Sequence, residues 1–187
     1  MSPPNPPQSS EKPPPNTADG FLAVPLLPSH PTRDFDSGEP ELDEFLRRYA
    51  LKNEGTVSRT FVMLDEGQPR ILGFYTLAVA SATPAEVGPH HPKRLPNYQQ
   101  LGAVLIARLG RHISAKGAGL GRALIFDALK RCRQVGVLAG CAGVLVDAKH
   151  ERAAGFYERY GFARLGSSGE RRRLYLPLAT IERLLHG

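Results

Sequence analysis

Six consecutive residues, Lys116-Gly117-Ala118-Gly119-Leu120-Gly121, have the make-up of an anion-binding turn. Glycines in alternation let a backbone turn sharply and approach a ligand without side-chain obstruction. Downstream, Leu120, Leu124, Ala128, Leu129, Cys132 and Val135 fall at helical spacing, and upstream, residues 103–109 are apolar and β-compatible. The stretch therefore reads strand, glycine turn, helix. The first N–H groups of a helix lack intrahelical partners and sit at the positive end of its dipole, so the turn suits a phosphate. Two common phosphate loops are excluded. A G-x-G-x-x-G fingerprint needs glycine where Arg122 stands, and a Walker A loop needs Gly-Lys-Ser/Thr where Gly121 is followed by Arg122 and Ala123.

Other chemistry-bearing residues point less sharply. Tyr157 lies with Ala153, Phe156 and Tyr160 at i, i+3, i+4, i+7 spacing, which by itself is a core face. Glu39, Glu41, Asp43 and Glu44 cluster near an expected first helix and read as a solvated face. His90 and His91 fall in a proline-rich loop, His150 at a helix start, and Asp147 at a strand end, positions that suit caps and anchors. Cys132 and Cys141 are the only cysteines, too few for a disulfide framework or a zinc site, so no metal is expected.

The elements that position these residues follow from periodicity. At 187 residues the chain is one domain's worth. Residues 1–19, with seven prolines and almost nothing apolar, are expected to be a disordered, partly polyproline tail, leaving 20–187 as the folded domain. A strand over 21–27 comes first. Asp36-Ser37-Gly38-Glu39 then offers N-cap chemistry to a helix bearing Leu42, Phe45, Leu46 and Tyr49 on one face. Strands over 59–64 and 71–80 flank a turn at 66–69, and 84–96 is loop. After the glycine turn and its helix come a strand over 143–147, a helix over 152–160 closed by Gly161, a strand over 172–176 and a short helix over 179–186. No apolar run reaches the 18 residues or more of a membrane span, and no secretory signal is visible, so the cytoplasm is the expected location.

The order [Gln/Arg]-x-x-Gly-x-Gly/Ala opening a helix after a long strand resembles the pyrophosphate loop of the GNAT acyl-CoA-dependent N-acetyltransferases, with Lys116 in place of Gln or Arg. Gly155-Phe156-Tyr157-Glu158-Arg159-Tyr160-Gly161-Phe162 resembles that family's closing motif, in the right order and at the right separation. The resemblance implies an α/β (α+β) GNAT fold, a single domain with a mixed central sheet flanked by helices. It implies acetyl-CoA as donor, held by Leu109, Gly110, Arg111, Lys116, Gly117, Ala118, Gly119, Leu120, Gly121 and Arg122. In it, backbone groups of Leu109 and Arg111 pair with the pantetheine arm. It also implies Tyr157 as the acid for the departing thiolate, a role its spacing alone does not give.

Within the family the chain is most similar to toxins that acetylate the amino group of aminoacyl-tRNA. Matching stretches are Ser37-Gly38-Glu39, Leu42-Asp43, Leu51-Lys52-Asn53, Arg59-Thr60-Phe61-Val62, residues 73–78, residues 105–109, Asp127-Ala128 and Arg131-Cys132. Arg111 and His112 depart from the usual aliphatic residue and Asp. The resemblance implies an aminoacyl-tRNA substrate, a homodimer and a ribbon-helix-helix antitoxin. The alternatives are a GNAT for a small amine or a protein N-terminus and, from another class, an inactive acyl-CoA-binding regulatory module. No strong general base is visible. An α-amino group titrates near pH ~8 against ~10.4 for lysine, so a weak base or water suffices. Charge agrees with an RNA partner: residues 108–187 hold 15 Lys+Arg against 6 Asp+Glu, net +9, whereas 1–107 hold 9 against 12, net −3. The basic residues of that half include Arg108, Lys130, Arg131, Arg133 and Arg171-Arg172-Arg173.

Overall fold

A computed structural model describes residues 22–90, 100–166 and 172–186. The expected tail over 1–19, Phe21 at the head of the first expected strand, the loop positions 91–96 with His91, and Arg171 lie outside the described residues.

In chain order the strands are β1 (Ala23–Pro25), β2 (Arg59–Leu64), β3 (Ile71–Ala82), β4 (Leu101–Arg111), β5 (Gly143–Ala148), β6 (Ala163–Arg164) and β7 (Arg172–Pro177). They form one mixed sheet in the order β1-β2-β3-β4-β5-β7-β6, in which only β4 and β5 pair in parallel. Side chains alternate between its faces, as the period of two requires. Phe74, Leu145 and Tyr175 turn to one face, and Tyr75, Val144, Val146, Leu174 and Leu176 to the other. Helices cover both faces, so the central strands are apolar on both sides and lose the polar alternation of a half-exposed sheet.

On the second of these faces lie α4 (Leu120–Ala139), α5 (Glu151–Glu158) and α6 (Leu178–His186), packed over Val104, Ile106, Val144 and Leu176. On the first, α1 (Pro40–Glu44) passes through a π-helical turn (Phe45–Tyr49) into α2 (Ala50–Asn53), burying Phe45, Leu46 and Ala50 against Val62 and Phe74. A separate cluster on that face joins Val87 of α3 (Pro84–Val87) to Leu101, Leu145 and Tyr175.

Several expectations change. The π turn, marked by the Ala50 N–H bonding back to the Phe45 carbonyl, inserts an extra residue and rotates Tyr49 outward to solvent. The helix has Glu39 as N-cap without a side-chain cap bond. Ser37 instead ties the preceding loop to Asp43, donating from its N–H at 2.9 Å and its hydroxyl at 2.6 Å. Asp43 is therefore buried and bonded, not part of a solvated face. Val135 is partly exposed, at 38%, and Gly136 takes its place on the inner face against Leu178. The expected loop from 84 opens with a helical turn under a Thr83–Glu86 capping box. β6, two residues long, carries too little pattern to be foreseen. Gly161 does close the α5 region at φ +85°, and Cys132 is a core residue.

One buried polar group crosses the apolar layer. The Tyr75 hydroxyl donates to Asp127, and Arg131 Nε reaches that hydroxyl at 2.7 Å and Asp127 Oδ2 at 3.1 Å. A terminal nitrogen of Arg131 donates to the Ala23 carbonyl at 2.9 Å, and its guanidinium lies 4.0 Å over the Phe61 ring. Burial first, then the Asp127 charge, pushes the Tyr75 phenol far above its ordinary pKa, so it stays a donor. The group ties β1, β2 and β3 to α4, and Arg131 thereby faces inward instead of joining a basic surface. Tyr75→Phe strips Asp127 of a donor and should lower the unfolding free energy by about 1–3 kcal/mol in urea titration. A change below about 0.5 kcal/mol would mean that the network does not hold the strands to the helix.

Candidate active site

Strands β4 and β5 are neighbours, yet they pair only from Ala103, Val104 and Leu105 to Gly143, Val144 and Leu145. Beyond Leu105 they part. The reason lies on the other side of β4, where Thr76 opposes Arg108 and Leu77 opposes Ile106, leaving Ala107 as an extra, bulged residue. A bulge bends its strand and increases its twist. The β5-facing edge of β4 beyond Leu105 is left without a strand partner among the described residues, while its other edge stays paired to β3 as far as Arg111.

A cleft of about 550 Å³ fills the gap. Residues 106–111 of β4 form one wall, and Asp147, Ala148 and α5 with its flanking residues form the other. Gly121 and the start of α1 complete the rim. Tyr157 sits beneath it, only 7% exposed, edge-on to Phe156 and Phe162. Its hydroxyl has no hydrogen-bond partner among the described residues, and the residue lines the cleft. Burial raises the phenol's pKa well above its ordinary value. The tyrosine is thus packed as a core residue while lining the cleft.

Of the expected phosphate-loop residues, Lys116, Gly117, Ala118 and Gly119 stand exposed before the first turn of α4 and are not part of the cleft lining, which Gly121 joins. Gly117 and Gly119 take φ of +88° and +76°, with nothing within 4 Å of where a Cβ would be, so the loop backbone is bare. Gly121 lines the cleft against Phe156, and Leu109, Gly110 and Arg111 line it from β4. The Leu120 side chain is buried in the core, leaving only its backbone at the helix start. Arg122 is exposed, its guanidinium 5.5 Å over Phe126. His112 serves a local purpose: its Nδ1 accepts from the Ser114 N–H at 3.1 Å, capping the 3-10 turn before the loop, and its ring meets Phe35 edge-on.

The acids and histidines around the cleft are engaged. Asp147 pairs with Arg173 at 2.9 Å. Glu39 and Glu41 pair with Lys149 at 3.4 and 3.2 Å. A hydrogen bond from Lys149, with His150 adding to it, holds the Glu39 carboxyl below its usual range. His150 caps α5 through Nδ1, accepting from the Ala153 N–H at 3.0 Å. No cluster of metal-ligating side chains occurs among the described residues. Sequence reasoning missed the bulge at Ala107. It also missed the inward use of Asp127 and Arg131, although a charged i, i+4 pair on an otherwise apolar helix face was a readable signal.

A family profile described as "Acetyltransferase (GNAT) domain" matches residues 98–176. The chain is 38% identical over 130 residues to a "tRNA-acetylating toxin" of Mycobacterium tuberculosis, covering 68% of this chain and 75% of that protein. Among solved structures it is similar to "AtaT complexed with acetyl-methionyl-tRNAfMet" at TM-score 0.78 and 26% identity, covering 88% of this chain and 98% of that one. It is also similar to "AtaTR bound with AcCoA" at TM-score 0.73 and 27% identity, covering 88% and 97%.

The helix that presents Tyr157 is clamped from outside. Glu151 accepts hydrogen bonds from Arg164 of β6, at 2.7 Å, and from Arg172 of β7. Arg164 first, then Arg172, hold its carboxyl down to about 2, against 4.5 for a free glutamate. A depressed carboxylate stabilises the fold above its unfolded value and loses that contribution as pH falls through the folded one. Glu151→Gln should therefore melt below wild type at pH 7, with the gap closing as pH drops from about 4.5 towards about 2. A gap independent of pH over that interval would contradict the clamp.

Proposed function

The chain belongs to the GNAT acetyltransferases, and from that premise we propose that it transfers acetyl from acetyl-CoA to the α-amino group of aminoacyl-tRNA, acting as a translation-blocking toxin. The observation that carries this reading is the free edge of β4 facing a buried tyrosine hydroxyl across one cleft. Unsatisfied backbone groups beside a cavity call for a partner with amides of its own, and the pantetheine arm of coenzyme A is such a partner. Leu109 and Arg111, whose backbone groups point away from β3, supply the pairing. Their N–H groups polarise the thioester carbonyl and stabilise the charge that builds on its oxygen. Lys116, Arg122 and the bare backbone over 117–121 at the start of α4 take the phosphates.

In the reaction the neutral amine attacks the carbonyl carbon, the C–N bond forms and the C–S bond breaks. Tyr157, kept protonated by its burial, donates to the sulfur as negative charge grows there. The surplus amine proton leaves to water, since the cleft offers no free carboxylate. An α-amino acceptor tolerates this, being partly neutral at pH 7. The tRNA substrate is supported by the names of the mycobacterial relative and of the AtaT complex. A ribbon-helix-helix antitoxin, a homodimer, a cytoplasmic location and the division into a tail (1–19) and one domain (20–187) belong to the same reading. Among the described residues no helix is long and apolar enough to cross a membrane.

Labelled acetyl-CoA incubated with charged tRNA should place label on the RNA fraction, removable by deacylation. Tyr157→Phe should lower kcat on the order of 10²- to 10³-fold while still binding acetyl-CoA. Label on small amines with none on RNA would sink the tRNA substrate and keep the family. Unchanged turnover in the variant would remove Tyr157 as the acid. The wild-type rate should rise with an apparent pKa of about 8 and hold its plateau to about pH 10, because the tyrosine does not ionise in that range. A continued rise through pH 10 would indicate a lysine-like acceptor instead.

A further inference from the structure

Several arginines of the basic half are engaged. Arg131 is spent inside the fold, and Arg164, Arg172 and Arg173 are paired to Glu151, Glu158, Asp147 and Glu86. Arg108, Arg111, Arg152 and Arg159 line the cleft with neither an ion pair nor a hydrogen bond among the described residues. Arg108 stands out among them because its guanidinium stacks 4.1 Å over the Phe45 ring, on the α1 side of β4. About half of it is withdrawn from water, and that desolvation lowers its pKa, with the Glu41 charge opposing. The Glu41 carboxylate is itself 3.2 Å from Lys149. A half-desolvated guanidinium held flat on a ring, with its donors unspent, is prepared for an anion.

The register says which anion. Leu109 packs into the cluster beneath α4, whereas its neighbour Arg108 stacks on Phe45, in the cluster under α1. Gly110, two positions along, faces Phe74 and Leu42 on that same side. The glycine loop opens α4 and so belongs to the opposite face of the sheet. A phosphate on that loop and an anion at Arg108 are therefore two different groups, reaching the cleft from opposite sides. Arg108 lines the cleft from the α1 side of β4.

Resting on the reading above, we propose that Arg108 receives a phosphodiester of the acceptor strand next to its aminoacylated end, making this face the entry for the single-stranded terminus of the RNA. The fork of donors grips the phosphate while Phe45 fixes the plane of the guanidinium. With the phosphate held there, the aminoacyl group reaches the thioester from the face opposite the cofactor's phosphates.

The test compares wild type with Arg108→Gln and Arg108→Lys on two acceptors carrying the same amino acid. One is the charged tRNA, and the other is the aminoacyl-adenosine, which has the ester but no phosphodiester. Arg108→Gln should raise KM for the tRNA on the order of 10- to 100-fold, leaving KM for acetyl-CoA and for the aminoacyl-adenosine within about twofold. The dependence of log KM for tRNA on log salt should fall by about 0.7, the share of one contact to a single strand. Arg108→Lys should recover part of the loss. Equal losses on both acceptors, or a raised KM for acetyl-CoA, would overturn the proposal, as would an unchanged salt slope. Wild type acetylating aminoacyl-adenosine but never tRNA would overturn the substrate reading itself, a result distinct from a failure of Arg108 alone.

Discussion

Everything in this site depends on a few backbone groups that the sheet declines to pair. A buried strand edge is costly unless its N–H and C=O groups find partners. Here β4 keeps its ladder with β3 to its last residue and abandons β5 after three pairs. The bulge at Ala107 makes that possible, since one inserted residue turns the strand without breaking the far ladder. In the proposed reaction that opening takes the extended, amide-bearing arm of the cofactor, and the tyrosine under it and the glycine loop depend on the edge being free.

Two electrostatic tasks are kept apart by the sheet. On the α4 side, helix polarity, Lys116 and Arg122 meet the cofactor's phosphates in the proposed reaction. On the α1 side, Arg108 waits on Phe45. Much of the remaining positive charge is neutralised within the structure, by Glu151 and Glu158 around α5 and by Asp147 and Glu86 beside β7. Net charge thus overstated the surface available to RNA. Arg131, Arg172 and Arg173, counted from sequence as basic surface, serve the architecture. What distinguishes a cation ready for a ligand is an unspent set of donors, and that is visible only in three dimensions.

The long elements were legible because their periods are strong. The α4 apolar stripe, the β2 and β3 runs and the glycine that closes α5 each carry a local signal that tertiary contacts did not override. Weak or non-local signals were lost. The Ala107 bulge depends on the register of two strands and leaves no trace in either one. The π turn at Phe45 changes which residues share a helix face, so a strict 3.6 period misplaced Tyr49. Asp43 reads as one acid among four until Ser37 is seen to bond it. Tyr157 shows why the site was only half readable, since its spacing declares a core residue, which it is, and gives no sign that it also lines the cleft.

Amide hydrogen exchange along β4, with and without acetyl-CoA, tests the central claim most directly. The account predicts that the cofactor slows exchange at Leu109 or Arg111 and over 117–121, while amides of β2 and β6 remain unchanged. Protection confined to the loop, with the β4 edge exchanging as fast as before, would contradict the claim that this unpaired edge is what the cofactor completes.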